Sequence, residues 1–145
     1  MTDPDKALNC AVPPKTILVV EDEDVVIGTL TILLEDEGYQ VVVARDGTKG
    51  RAAYAKIRPD IVITDIIMPN ETGISLIASV NRMDPAAKVV AISGSGCFGD
   101  MNFLETAKAL GANAAIAKPF DPEELLGVVR SLLAPQTIVA AAAAT

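Results

Sequence analysis

Five short apolar runs alternate with five longer segments in which apolar residues recur every three or four positions. The runs cover residues 17–20, 39–44, 61–64, 88–92 and 114–117. They are rich in Val, Ile and Ala and are bounded by turn residues, a pattern that predicts buried strands. Between them the spacing predicts helices. The first carries Val26, Leu30, Leu33 and Leu34 on one face and stops at Gly38. Asp46 caps a second helix that runs to about residue 57 and points Ala53 and Ile57 inward. The third, over 73–83, turns Ile74, Ile77 and Val80 inward, and the fourth, over 101–110, ends at Gly111. The fifth opens on Asp121 as cap, Pro122 in the first position and Glu124 in the third. Its buried stripe is Leu125, Val129, Leu132 and Leu133, and Pro135 ends it. Strict strand–helix alternation predicts an α/β fold, a parallel sheet covered on both faces with right-handed crossovers. In such sheets ligands sit outside the carboxyl ends of the strands.

Those ends carry the chemistry. The first strand delivers Glu21 and Asp22, the third Asp65, the fourth Ser93 and the fifth Lys118. Alone, Asp65 reads equally well as a helix cap or a salt-bridged carboxylate. Together, three carboxylates and one ammonium leave two negative charges unbalanced, and carboxylates in such company raise one another's pKa or recruit a cation. An oxygen-only ligand set points to Mg²⁺, or Mn²⁺, rather than zinc. A carboxylate beside such a cation is a competent nucleophile toward a phosphoryl group. The cation and Lys118 can neutralise the phosphoryl oxygens, and the Ser93 hydroxyl can donate to one of them.

Composition narrows the classes. The chain has 145 residues, enough for one domain, and 50% are hydrophobic, ample for a core. No apolar run reaches the roughly 18 residues needed to cross a membrane. The polar start, Met1 to Lys6, has neither the basic nor the apolar region of a secretory signal. A cytoplasmic location and no membrane partner are therefore expected. The net charge of −7 predicts no nucleic-acid partner, since a surface that binds one should be basic. There is no histidine, which removes Ser-His and Cys-His nucleophile systems and any self-contained phosphohistidine relay. Cys10 and Cys97, the two cysteines, have no metal or redox spacing.

Four fragments, in order and one per strand end, resemble the response-regulator receiver domain of two-component signalling. They are Ile17 to Glu23, Asp65 followed by Met68-Pro69 and Gly73, Ser93 after Val89 to Ile92, and Lys118-Pro119-Phe120. The resemblance covers residues 15–134, with a leader over 1–14 and an alanine-rich tail over 135–145. It implies a flavodoxin-like fold: a doubly wound five-stranded parallel sheet in the order 2-1-3-4-5. Asp65 would be the phosphoacceptor. Asp22 would bind Mg²⁺ directly and Glu21 through water, with the backbone carbonyl of Ile67 completing the protein ligands. Lys118 would pair with Asp65 and then with the phosphoryl group, and the Lys118-Pro119 bond would be cis. The donor would be a histidine kinase or a histidine phosphotransfer protein, packing near the first helix. As no room remains for an output domain, the chain would be a single-domain regulator that switches a downstream protein target or passes the phosphoryl group on. It would not be an enzyme, beyond promoting its own phosphorylation and dephosphorylation.

This sequence departs from the family pattern in three places. Glu21 replaces the usual Asp and Ser93 the common Thr, changes that keep the carboxylate and the hydroxyl. Ala115 replaces an aromatic residue that swings inward on activation, so the glycine-rich loop over 94–99 is expected to carry the motion. Ile67 and Ser95 occupy positions that set how fast water removes the phosphoryl group, and an apolar Ile67 predicts a long-lived phosphoform. Two other readings stand beside this one. One is a receiver-shaped interaction module that works without phosphorylation. The other is a haloacid-dehalogenase-type phosphatase, with Asp22 as nucleophile of the Asp22-Glu23-Asp24 pattern.

Overall fold

The computed structural model describes residues 14–66, 73–94, 102–109 and 111–134. Residues 1–13 of the expected 1–14 leader, Ile67, residues 95–99 of the expected 94–99 loop and the tail over 135–145 lie outside the described residues. The strands are β1 (Thr16–Val20), β2 (Gln40–Ala44), β3 (Ile61–Asp65), β4 (Val89–Gly94) and β5 (Ala114–Lys118). The helices are α1 (Asp24–Asp36), α2 (Gly47–Ile57), α3 (Gly73–Met83), α4 (Asn102–Ala109) and α5 (Pro122–Leu133). All strand pairs are parallel and the sheet order is β2-β1-β3-β4-β5, as the resemblance implies.

Successive side chains of a strand point to opposite faces, so a strand apolar at every position supplies two cores. β1 does this. Leu18 and Val20 join Val62, Ile66 and Ala91 on one face, under Tyr54 of α2, Leu76, Ile77 and Val80 of α3, and Ala107 of α4. Ile17 and Val19 join Ile61, Ile63, Val90 and Ile92 on the other, under Leu30 and Leu34 of α1 and Leu125, Leu126 and Val129 of α5. At about 25 cal/mol per Å² of apolar surface, burial of this extent is the main force holding the layers together.

Local signals end the helices where expected. The Asp46 side chain accepts from Lys49 N at 2.8 Å, and that of Asp121 from Glu123 N at 3.2 Å. Gly38 follows α1 with φ +94, a conformation that costs a residue with a Cβ but not glycine. The inward face of α2 differs from the expected one. Ala53 packs partly against the core as expected, but the large buried side chain is Tyr54, while Ile57 is 40% exposed. A buried tyrosine needs a partner for its hydroxyl, and Asp84, just beyond α3, supplies it at 3.2 Å. Leu76 and Leu126 likewise join the core beside the residues the periodicity picked out.

Candidate functional site

The order β2-β1-β3 makes the chain cross the sheet between β1 and β3, which is the switch point of the fold. β1 ends at Val20 and β3 at Asp65, so both strands deliver acidic residues to this crevice. The main chain after β1 is held by Glu21 N, which donates to Ala44 O of β2 at 3.0 Å. This turns the Glu21 side chain into the protein, where it is fully buried, while Asp22 stays exposed. Asp65 is 5% exposed. Carboxylate oxygens of Glu21, Asp22 and Asp65 all lie within 4.8 Å of one another.

Lys118, from the end of β5, reaches across to this cluster. Its Nζ stands 3.1 Å from Glu21 Oε1, 3.2 Å from Asp65 Oδ2 and 3.4 Å from Glu23 Oε1. Burial pulls the Lys118 pKa down, but Asp65 and Glu21 outweigh that and hold it above the ordinary lysine value. Glu21 goes the other way for a carboxylate. Burial first, and then the neighbouring Asp65 charge, push its pKa up to about 7, against the opposing pull of Lys118. Its Oε2 accepts from Asp22 N and Glu23 N, each at 3.2 Å. Its Oε1 is buried and receives no hydrogen bond; the Lys118 contact there is an ion pair without hydrogen-bond alignment. A buried carboxylate oxygen with unused acceptor capacity, amid two further carboxylates, is what an oxygen-seeking cation needs. The residues present therefore fit a divalent metal.

Ser93 lies at the same edge, 6% exposed. The register places it one step beyond Ile92, the partner of Asp65, and one step before Gly94, the partner of Lys118. The Lys118-Pro119 bond is cis. Ala115 is the second residue of β5, partly buried against the α2–α4 face of the core. The structure thus gathers Glu21, Asp22, Asp65 and Lys118 in one cluster and sets Ser93 beside it. Glu23 was not singled out from the sequence, although it is the third acid in the Glu21-Asp22-Glu23 run. Asp24, the second carboxylate of the phosphatase reading, pairs with Arg45 on the surface instead. A groove of about 370 Å³ opens beside the cluster, lined by residues that include Glu23, Val26, Thr29, Lys118 and Phe120. No helix among the described residues is long and apolar enough to cross a membrane.

Comparison with known proteins agrees with this geometry. The family model of the response regulator receiver domain matches residues 17–130. The DNA-binding response regulator MtrA of Mycobacterium tuberculosis is 36% identical over 118 residues, covering 81% of this chain and 50% of MtrA. The transcriptional regulatory protein YkoG of Bacillus subtilis is 32% identical over 117 residues, with 81% and 50% covered. Among solved structures, the CheY-like receiver domain protein of Methanospirillum hungatei has a TM-score of 0.75 at 26% identity, covering 81% of this chain and 92% of that one. The chemotaxis response regulator CheY4 of Vibrio cholerae has a TM-score of 0.74 at 28% identity, with 83% and 99% covered.

These relatives correct one expectation. The sequence reading excluded nucleic acid as a partner, yet MtrA is a DNA-binding response regulator and YkoG a transcriptional regulatory protein. The exclusion rested on a charge of −7 summed over this chain. The chain spans about half the length of the curated relatives it matches, and a charge summed over the matched part says nothing of what the rest of those relatives binds. By the match over residues 17–130 and by its fold, the chain belongs to the response regulator receiver domain family, the signalling switches of two-component systems.

Proposed function

We propose that this chain is a phosphoaccepting switch that takes a phosphoryl group from a phosphohistidine donor onto Asp65. One observation carries the reading. A nearly buried carboxylate at a strand end stands 3.2 Å from a lysine ammonium, inside a cluster of further carboxylates. A structural salt bridge needs one acid; the surplus here suits a site that works with a cation.

Glu21, Asp22 and Asp65, with the backbone carbonyl of Ile67, would hold Mg²⁺ or Mn²⁺. When bound, the ion supplies charge neutralisation on the phosphoryl oxygens. In the transfer, a carboxylate oxygen of Asp65 bonds to phosphorus while the P–N bond of the phosphoimidazole breaks. The imidazole leaves with the electron pair and takes up a proton. Lys118, already paired with Asp65 and Glu21, would come to pair with the phosphoryl group as well, which keeps its positive charge beside the growing negative charge. The Ser93 hydroxyl donates to a phosphoryl oxygen. The apolar groove beside Lys118, walled by Val26 and Phe120, gives the donor a surface to rest on. The chain has no histidine, so the phosphohistidine that donates lies outside these 145 residues.

Incubation with Mg²⁺ and acetyl phosphate, followed by separation of the phosphoform, tests this directly. The expected product is acid-stable, base-labile and lost in Asp65→Asn. A phosphoform that survives Asp65→Asn but disappears in Asp22→Asn would favour phosphatase-type chemistry. No phosphoform from any small donor, nor from a panel of phosphorylated kinases, would leave an interaction module.

A further inference from the structure

β3 contains one polar residue that the proposed chemistry does not use. Thr64 is fully buried, between Val62 and Ile66 on the face that α2 and α3 cover. A hydroxyl in an apolar layer costs free energy unless it is bonded, and valine would fill the same space without that cost. The Thr64 hydroxyl donates to the backbone carbonyl of Asp65 at 2.9 Å.

The β1 ladder stops one residue short of that carbonyl. Pairing of β3 with β1 ends at Val20 and Thr64, and beyond it Asp22 N donates to the Glu21 side chain rather than to β3. On the other side, Ile66 N still donates to Ile92 O of β4 at 3.0 Å. In a trans peptide the C=O and N–H point in opposite directions. The Asp65 carbonyl therefore faces the side on which β1 has stopped. Gly73 closes on the same atom: a Cβ there would stand 2.1 Å from Asp65 O, and Gly73 N donates to Ile66 O at 2.8 Å.

We propose that Thr64 is a positioning residue whose hydroxyl fixes the Asp65 main chain beyond the end of the β1 ladder. It thereby holds the Asp65 carboxylate at its place between Lys118 and the acid pair. The inference rests on the reading of Asp65 as phosphoacceptor. Small displacements of a reacting group have large kinetic effects, so a single main-chain hydrogen bond reaches the chemistry through Asp65.

The test uses the full chain as wild type, Thr64→Val, Thr64→Ala and Thr64→Ser. Initial phosphorylation rates with acetyl phosphate and the Mg²⁺ dissociation constant are measured at a temperature where circular dichroism shows every protein folded. Thr64→Val should lose about five- to tenfold in rate, a factor within reach of one ordinary hydrogen bond, while Thr64→Ser stays within about twofold of wild type. If Thr64→Val does not fold, Thr64→Ala carries the comparison, and Thr64→Ser must outpace it. A hydroxyl that serves packing alone would lower the melting temperature and leave rate and Mg²⁺ binding unchanged; that result overturns the assignment. Wild type that accepts phosphoryl groups with Thr64→Val as its equal overturns only the role of Thr64. Wild type that accepts none, from acetyl phosphate or from a panel of phosphorylated kinases, overturns the phosphoacceptor reading, and this inference with it.

Discussion

Replacing Glu21 with glutamine removes a fully buried charge, and the structure sets the size of the effect. The side chain is fully buried, and its pKa stands at about 7 against 4.5 for the ordinary carboxyl. The folded protein thus holds the Glu21 proton more tightly than the unfolded chain does. Stability from this source is present in full below the unfolded value and is lost as pH rises through the folded one. The interval corresponds to about 3 kcal/mol at roughly 1.4 kcal/mol per pH unit. Glu21→Gln has no such proton to lose. In chelator-containing buffer, its stability relative to wild type should climb by about 2–3 kcal/mol between about pH 5 and about pH 8. For a domain of this size that is a Tm difference growing by roughly 10 °C, read from far-UV circular dichroism melts at fixed ionic strength. Saturating Mg²⁺ should then stabilise the wild type, by about 2.7 kcal/mol at a hundredfold excess over Kd, and raise its Tm, while leaving Glu21→Gln nearly where it was. A Tm difference that stays flat across the pH range would refute the argument. It would mean that Lys118 and local water compensate the buried charge in full.

Three further outcomes follow from the same geometry. Lys118→Met removes the cation that faces Glu21 at 3.1 Å, so the Glu21 carboxyl should titrate at higher pH than in wild type, as followed by ¹³C NMR of its side-chain carbon. Gly73→Ala puts a Cβ at 2.1 Å from the Asp65 carbonyl, a clash that backbone must move to relieve; a loss of about 2–4 kcal/mol in urea unfolding is expected, with a weakened phosphoform. Ile67→Asn should shorten the lifetime of the phosphoform, since a polar side chain admits the water that Ile67 is expected to shield; an unchanged hydrolysis rate would remove Ile67 from the account.

The sequence by itself determined the element order, the parallel sheet and most of the residues at its carboxyl edge. It could do so because those features are local. Strands apolar at every position must be buried on both faces, and a charged residue directly after such a strand has only the sheet edge to occupy. The helix starts at Asp46 and Asp121 and the stop at Gly38 were legible for the same reason, since caps are made within one turn of chain. Tertiary structure alone decided the rest. Tyr54 enters the core with its hydroxyl met by Asp84, thirty residues on. Glu21 and Asp22 are neighbours in sequence, yet the bond from Glu21 N to Ala44 O buries one and leaves the other in solvent, and this sets which of them is strained. Glu23 joins the site through a lysine 95 residues away. Thr64 reads in the sequence as one more β-branched strand residue, because nothing local shows that β1 ends its ladder there. Periodicity records which way a side chain faces; what it meets on arrival depends on contacts between segments far apart in the chain.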